Sequence, residues 1–254
     1  MTKVVVIGGT GLIGSQVVQR LIEHGHDAIP ASPSSGVNII TGEGVAEVLE
    51  GADVLVDVSN APSWEPQAVL DFFTTSASNL LSAAKAAGVR HYVALSIVGT
   101  DRNPESSYFN AKLAQEKLIK ESGIPYSIVH ATQFFEFVGG IADSGTEGNT
   151  VVCPDALIQP IASADVAAAV ARTAAGEPIN GGVEIAGPEV FRFEELIRKS
   201  LAFHGDTRTV VASPEGRYFG AALQEGSLVP AEGAALLADT TFESWLTASA
   251  ATKK

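Results

Sequence analysis

Four consecutive β-branched residues near the start, Val4, Val5, Val6 and Ile7, run straight into Gly8-Gly9-Thr10-Gly11-Leu12-Ile13-Gly14. An unbroken β-branched run reads as a strand buried on both faces, the kind found in parallel sheets. Apolar residues then recur with helical spacing at Ile13, Val17, Val18, Leu21 and Ile22, so the order is strand, glycine turn, helix. Gly8 allows a tight turn, Gly11 lets a pyrophosphate approach the backbone, and Gly14 lets the helix lie close to the strand. The first-turn N–H groups and the helix dipole favour a phosphate at this end. An ordinary strand–helix turn that binds nothing has a similar outline; the placement directly after the strand favours a dinucleotide. Gly8, Thr10, Gly11, Leu12, Ile13 and Gly14 are therefore the first candidate cofactor-binding residues.

The 254-residue chain is long enough for one large α/β domain, or one with a small C-terminal addition. Hydrophobic residues make up 46% of it and charged residues 18%, which argues against disorder. Its net charge of −13 argues against nucleic acid or an anionic membrane as partner. The lone Cys153 excludes an internal disulfide and reads as a buried small residue. The histidines at 24, 26, 91, 130 and 204 show no metal-ligand spacing. No leader or long apolar span is evident, so a cytoplasmic location is expected.

Farther along, a weak strand at Asp27–Ala31 contains Pro30, expected at its very end or at a bulge because it cannot donate to a ladder. The loop Ser32-Pro33-Ser34-Ser35-Gly36 follows, where an acidic residue would select NAD and a basic one NADP. Neither is present. Serines there can cradle a phosphate, which leans toward NADP(H) with Ser32 as a contact; a solvated serine loop is the alternative. Val37–Ile40 reads as a third strand and Val54–Val58 as the next, with Ser59 and Asn60 at its carboxyl end as further cofactor neighbours. A helix is expected from Gln67 to Gly88, a strand over His91–Leu95 delivering Ser96, a helix over Tyr108–Glu121, and a sixth strand over Tyr126–Val129. The fold expected is a Rossmann-type doubly wound α/β sheet, residues 1–150. Segments 151–247 would complete the sheet and shape a substrate pocket, and 248–254 would form a flexible tail.

Tyr108 and Lys112 stand four apart on one helix and share a face. A tyrosine titrating near pH 10 is a poor acid or base at neutral pH, and an adjacent ammonium would lower its pKa. Ser96 would hydrogen-bond a substrate carbonyl as hydride arrives. Tyr108, Lys112 and Ser96 are thus the candidate catalytic group, and Lys112 is also a candidate for the nicotinamide ribose. A packed tyrosine beside a solvated lysine is the bland alternative. Thr132, Gln133 and Phe134 are candidate substrate contacts. Phe135, Phe137, Tyr218, Phe219 and Trp245 belong either to a pocket wall or to the core.

The turn at residues 8–14 together with Ser96 and Tyr108-Phe-Asn-Ala-Lys112 resembles the short-chain dehydrogenase/reductase superfamily. Ala87-Gly88-Val89-Arg90-His91, Gln159-Pro160-Ile161-Ala162-Ser163-Ala164-Asp165-Val166 and Ala186-Gly187-Pro188-Glu189 resemble its atypical, NmrA-like branch. The resemblance implies a nicotinamide cofactor and reduction of a small carbonyl, imine or quinone-type acceptor. It also admits a non-catalytic NADP(H) sensor acting through a protein partner. Two departures stand out. Ala31-Ser32-Pro33 lacks the basic residue common after the second strand, and Phe73 aligns where extended relatives carry an asparagine. The substrate is expected to be small and apolar. A homo-oligomer through Gln67–Gly88 and Tyr108–Glu121 is an open alternative to those helices facing solvent.

Overall fold

The computed structural model describes residues 1–252. The elements, in chain order, are β1 (Lys3–Ile7), α1 (Leu12–Glu23), β2 (Asp27–Ala31), α2 (Val45–Val48), β3 (Val54–Asp57), α3 (Pro66–Ala87), β4 (His91–Ile97), α4 (Ser107–Glu121) and β5 (Tyr126–Ala131). They continue with α5 (Val138–Ser144), β6 (Thr146–Glu147), β7 (Thr150–Pro154), β8 (Leu157–Ile158), α6 (Ser163–Ala175) and β9 (Gly181–Ala186). The last are β10 (Phe191–Arg192), α7 (Phe193–Phe203), β11 (Thr209–Ser213), β12 (Ala235–Leu237) and α8 (Phe242–Thr252).

The main sheet has seven strands in the order β12-β9-β5-β4-β3-β1-β2, with β1 paired in parallel to both β2 and β3. β3 and β4 are also parallel neighbours, as are β9 and β12. This is a Rossmann-type doubly wound arrangement in which β1 lies second from the edge, between β2 and β3. Val4, Val5 and Val6 are fully buried, as expected of a strand covered on both faces.

One expected strand is absent. Val37–Ile40 runs as loop and turn, because Asn38 folds its carboxamide onto the chain that follows it. Its Oδ1 accepts from the N–H of Ile40 at 2.9 Å and of Thr41 at 3.2 Å. Asn79 Nδ2 on α3 donates to the carbonyls of Ile39 and Ile40, both at 2.9 Å. With those groups satisfied locally, a ladder has little to gain. β2 is consequently an edge strand. Pro30 sits opposite Val6 in regular register, as an edge tolerates, not at a bulge.

The chain divides into two compact units, each built from several segments of the sequence. The first comprises Met1–Ile97, Ser107–His130 and Val166–Val183. Its main core joins Val5, Ile7, Leu55, Leu80, Tyr92 and Ile128, and a smaller cluster joins Ala61, Val69, Phe73 and Ala111 with Tyr108 against it. The second unit comprises Val98–Ser106, Ala131–Asp165 and the chain from Glu184. It contains the three-stranded sheet β11-β7-β6, the pair β10-β8 and an aromatic core. In that core Phe135 packs on Phe242 and Trp245 with ring centres 5.1 and 5.6 Å apart. Phe135 is thereby a core residue, and Trp245 packs beside it half-buried. The tail expected from residue 248 is helical through Thr252 within α8; residues 253 and 254 lie outside the described residues. Among the described residues no helix is long and apolar enough to cross a membrane.

Gly14 lies within α1 with the glycine turn pressed against it: a Cβ there would collide with the Gly8 carbonyl oxygen and lie 2.7 Å from the Gly9 Cα. Gly139 is also helical, in α5, and a Cβ there meets nothing within 4 Å. Gly14→Ala should therefore lower stability by about 1–3 kcal/mol. Gly139→Ala should leave it unchanged or raise it by up to about 1 kcal/mol, both read from urea midpoints.

Candidate active site

The glycine turn joins β1 to α1 at the carboxyl edge of the sheet. Gly8 N donates to Ala31 O at 2.9 Å and Gly11 N to Gly8 O at 2.9 Å, which ties the turn to the end of β2 and closes it on itself. α1 starts at Leu12 with Gly11 as its cap, without a side-chain cap and without an acidic residue in its first turn. The first-turn N–H groups therefore have no side chain competing for them. Thr10, Gly11 and Leu12 are exposed. A backbone donor set of this kind fits the pyrophosphate of a dinucleotide. A Cβ on Gly8 would come within 3.0–3.1 Å of Val58 O and Ser59 N, so the turn lies directly against the end of β3. Gly9 has a similar constraint that the sequence reading did not identify, since its Cβ would fall 2.6 Å from the Cα of Pro30.

At the end of β2 the serines form a single 3₁₀ turn over Pro33–Ser35. Ser32 Oγ and Ser34 Oγ share a hydrogen bond of 2.8 Å, and Ser35 Oγ donates to Ser32 O at 2.9 Å. Ser32 is buried, while Ser34 and Ser35 are exposed.

Tyr108 lies in the first turn of α4. Its ring meets Phe73 edge-on at 5.7 Å and Trp64 in a tilted contact at 5.3 Å. Its hydroxyl donates to Asn60 Oδ1 at 2.6 Å. Burial pushes the phenol above its ordinary value, so it is neutral near pH 7. This differs from the expectation that Lys112 would lower it. The Lys112 ammonium turns inward, donating to Leu95 O at 2.8 Å and to Gln115 Oε1, and it sits 4.4 Å from the centre of the Phe73 ring. Burial pulls the pKa of Lys112 down to about 8, against the opposing pull of Asp57 and Glu116.

Gln115 carries the contact onward. Its Nε2 donates to Asp57 Oδ2 at 2.9 Å, which also receives the Tyr92 hydroxyl at 3.1 Å. Asp57 Oδ1 takes both the N–H and the hydroxyl of Ser59, at 3.1 and 2.6 Å. A continuous polar chain thus runs from Lys112 to the base of the loop that carries Asn60.

Ser96 is not part of this chain. β4 extends to Ile97, two residues beyond the expected end, so strand alternation fixes the Ser96 side chain in the interior instead of delivering it past the strand. Its hydroxyl donates to Glu116 Oε1 at 2.7 Å. Glu116 also contacts His130 Nε2 at 3.0 Å and receives Lys120 Nζ at 3.0 Å. Burial raises the Glu116 carboxyl, but the bonds from His130, Ser96 and Lys120 outweigh it and hold the pKa near 2. The sequence reading identified neither Gln115 nor Glu116. The available signal was spacing: residues 108, 112, 115 and 116 follow i, i+4, i+7, i+8, the register of a helix's buried face.

In the second unit, Thr132 and Gln133 are buried, and Phe134 stacks on Phe137 at 5.5 Å. Neither Thr132 Oγ1 nor either carboxamide atom of Gln133 has a hydrogen-bond partner. Cys153 is buried, and burial pushes its thiol up to about 11, which makes it a poor nucleophile. Among the described residues no group of His, Cys, Asp or Glu could hold a metal ion.

Because Glu116 has a lower pKa folded than unfolded, its ionisation stabilises the fold above the unfolded value near 4.5. That contribution, roughly 3 kcal/mol at most, is lost as pH falls from about 4.5 toward about 2. Glu116→Gln should accordingly be markedly less stable than the natural chain at pH 7. The gap between their urea midpoints should narrow as pH drops below about 4.5.

A family model described as NAD(P)H-binding matches residues 8–177. The chain is 26% identical over 148 residues to the photosystem II assembly factor Ycf39 of Synechocystis, covering 53% of this chain and 45% of that protein. It is 26% identical over 210 residues to the (4-alkanoyl-5-oxo-2,5-dihydrofuran-3-yl)methyl phosphate reductase of Streptomyces griseus, covering 76% and 70%. The chain spans about half the length of the curated relatives it matches first. Among solved structures it resembles the dTDP-4-dehydrorhamnose reductase of Bacillus anthracis in complex with NADP, with a TM-score of 0.73, 17% identity and full coverage of both chains. At that identity the likeness shows the fold. The family match spans more than half of the chain, so the chain belongs to this NAD(P)H-binding family, and its seven-stranded sheet has the Rossmann-type α/β fold.

Proposed function

We propose that this chain is an NAD(P)H-dependent reductase that converts a small carbonyl, imine or quinone-type acceptor, with Tyr108 as its proton donor. The observation that carries this reading is the neutral Tyr108 phenol, bonded to Asn60, the residue next to the Ser59 that lies against the glycine turn. The glycine turn would hold the pyrophosphate of a nicotinamide dinucleotide, which would supply the hydride. Tyr108 gives its proton to the acceptor heteroatom, and the resulting tyrosinate is reprotonated from solvent. Lys112 fixes the α4 face beneath Tyr108 to the end of β4, with two of its three N–H groups committed. The internal hydrogen bond of Ser96 supports a role in packing α4 on β4 over a substrate contact.

The serine turn supports NADP(H) as the cofactor, since no carboxylate stands at the end of β2 to repel a ribose phosphate. A negative charge on the exposed Ser34 would oppose that phosphate. Ser34→Glu should weaken NADPH binding about tenfold or more relative to NADH, an electrostatic effect worth roughly 1–2 kcal/mol.

A second reading, a cofactor-binding protein that turns nothing over, draws on one observation: both Lys112 and Ser96 are engaged inside the fold. A relative named as an assembly factor fits it. An NADPH oxidation screen against ketones, aldehydes, imines and quinones separates the two. The reductase reading expects turnover by the natural chain, and Tyr108→Phe should lower kcat by about 10²–10⁴-fold with NADPH binding intact. Tight NADPH binding without turnover on any acceptor would favour the second reading.

A further inference from the structure

The Tyr108 hydroxyl has a specific partner on the loop between β3 and α3. Asn60 Oδ1 receives it at 2.6 Å and also receives the N–H of Ala61 at 2.9 Å. The second bond fixes which end of the carboxamide faces the phenol, because a backbone N–H can only donate. The loop is held on both sides of Asn60. Ser59 is bonded twice to Asp57, and Ala61 is buried against the cluster that includes Phe73 and Ala111. The Tyr108 ring is bounded by Trp64 and Phe73. Ring and acceptor are therefore both fixed, while Asn60 itself stays exposed, where an incoming molecule can reach it.

We infer that Asn60 is the positioning residue of Tyr108: its side-chain oxygen holds the phenol proton in the orientation from which an acceptor oxygen or nitrogen takes it over, and keeps the group a donor. The inference rests on the reductase reading. An acceptor bonded to the neutral phenol stabilises that form over the tyrosinate, so loss of the Asn60 oxygen makes the phenol easier to ionise, and a carboxylate in its place makes it harder. A purely structural loop defect would not shift the two in opposite directions.

The test uses the full chain labelled with ¹³C at Cζ of tyrosine. The chain has four tyrosines, and Tyr108→Phe assigns the relevant resonance. In Asn60→Ala the Tyr108 resonance should move and its ionisation should begin at a pH about one unit lower than in the natural chain. In Asn60→Asp ionisation should begin at higher pH than in the natural chain. With an accepted substrate, Asn60→Ala should lower kcat about tenfold. A Tyr108 resonance unchanged in Asn60→Ala, or ionisation shifted the same way in both variants, overturns the inference. If the natural chain binds NADPH but reduces nothing while the resonance responds as stated, the reductase reading fails and the hold of Asn60 on the phenol stands.

Discussion

The polar buried face of α4 is the constraint on which the site depends. A helix packed on a parallel sheet ordinarily buries an apolar stripe, yet α4 turns Lys112, Gln115 and Glu116 inward, each no more than 4% exposed. Burying such groups unpaired is costly, so each must be met by a partner. Lys112 meets Leu95 O and Gln115, Gln115 meets Asp57, and Glu116 meets Ser96, His130 and Lys120. Directional bonds to β3, β4 and β5 set the rotation of α4 about its axis more sharply than apolar packing alone would. That rotation decides where Tyr108, one turn before Lys112, presents its hydroxyl.

The same network reaches the loop opposite. Asp57 ends β3 and fastens Ser59; Ser59 lies against Gly8, and Asn60 receives the phenol. Glycine turn, loop and tyrosine therefore share one scaffold within the first unit. The charge assignments follow from it. The Lys112 ammonium is directed toward the sheet, and burial keeps the Tyr108 phenol protonated, the state that the proposed proton donor needs.

What the sequence revealed was mostly what local pattern encodes. Val4–Ile7 followed by the glycine turn gave the strand, turn and helix at their observed positions, and Gly88, with φ of 72°, ends α3 where the spacing predicts. Tyr108 and Lys112 do lie on one helix, as their spacing requires. What failed depended on contacts distant in sequence or on side chains competing with the backbone. Asn38 and Asn79 dissolve the strand expected at Val37–Ile40. The two extra residues of β4 turn Ser96 inward. The bond between Gln115 and Asp57 spans 58 positions, and no periodicity announces it.

The most direct test of this account is a titration of the full chain with NADPH and, separately, NADH, followed by nicotinamide fluorescence at neutral pH. A glycine turn with uncapped first-turn N–H groups, beside a serine turn without a carboxylate, predicts saturable one-to-one binding, tighter for NADPH. Failure of both nucleotides to bind would contradict the assignment of the turn and, with it, the role given to Tyr108.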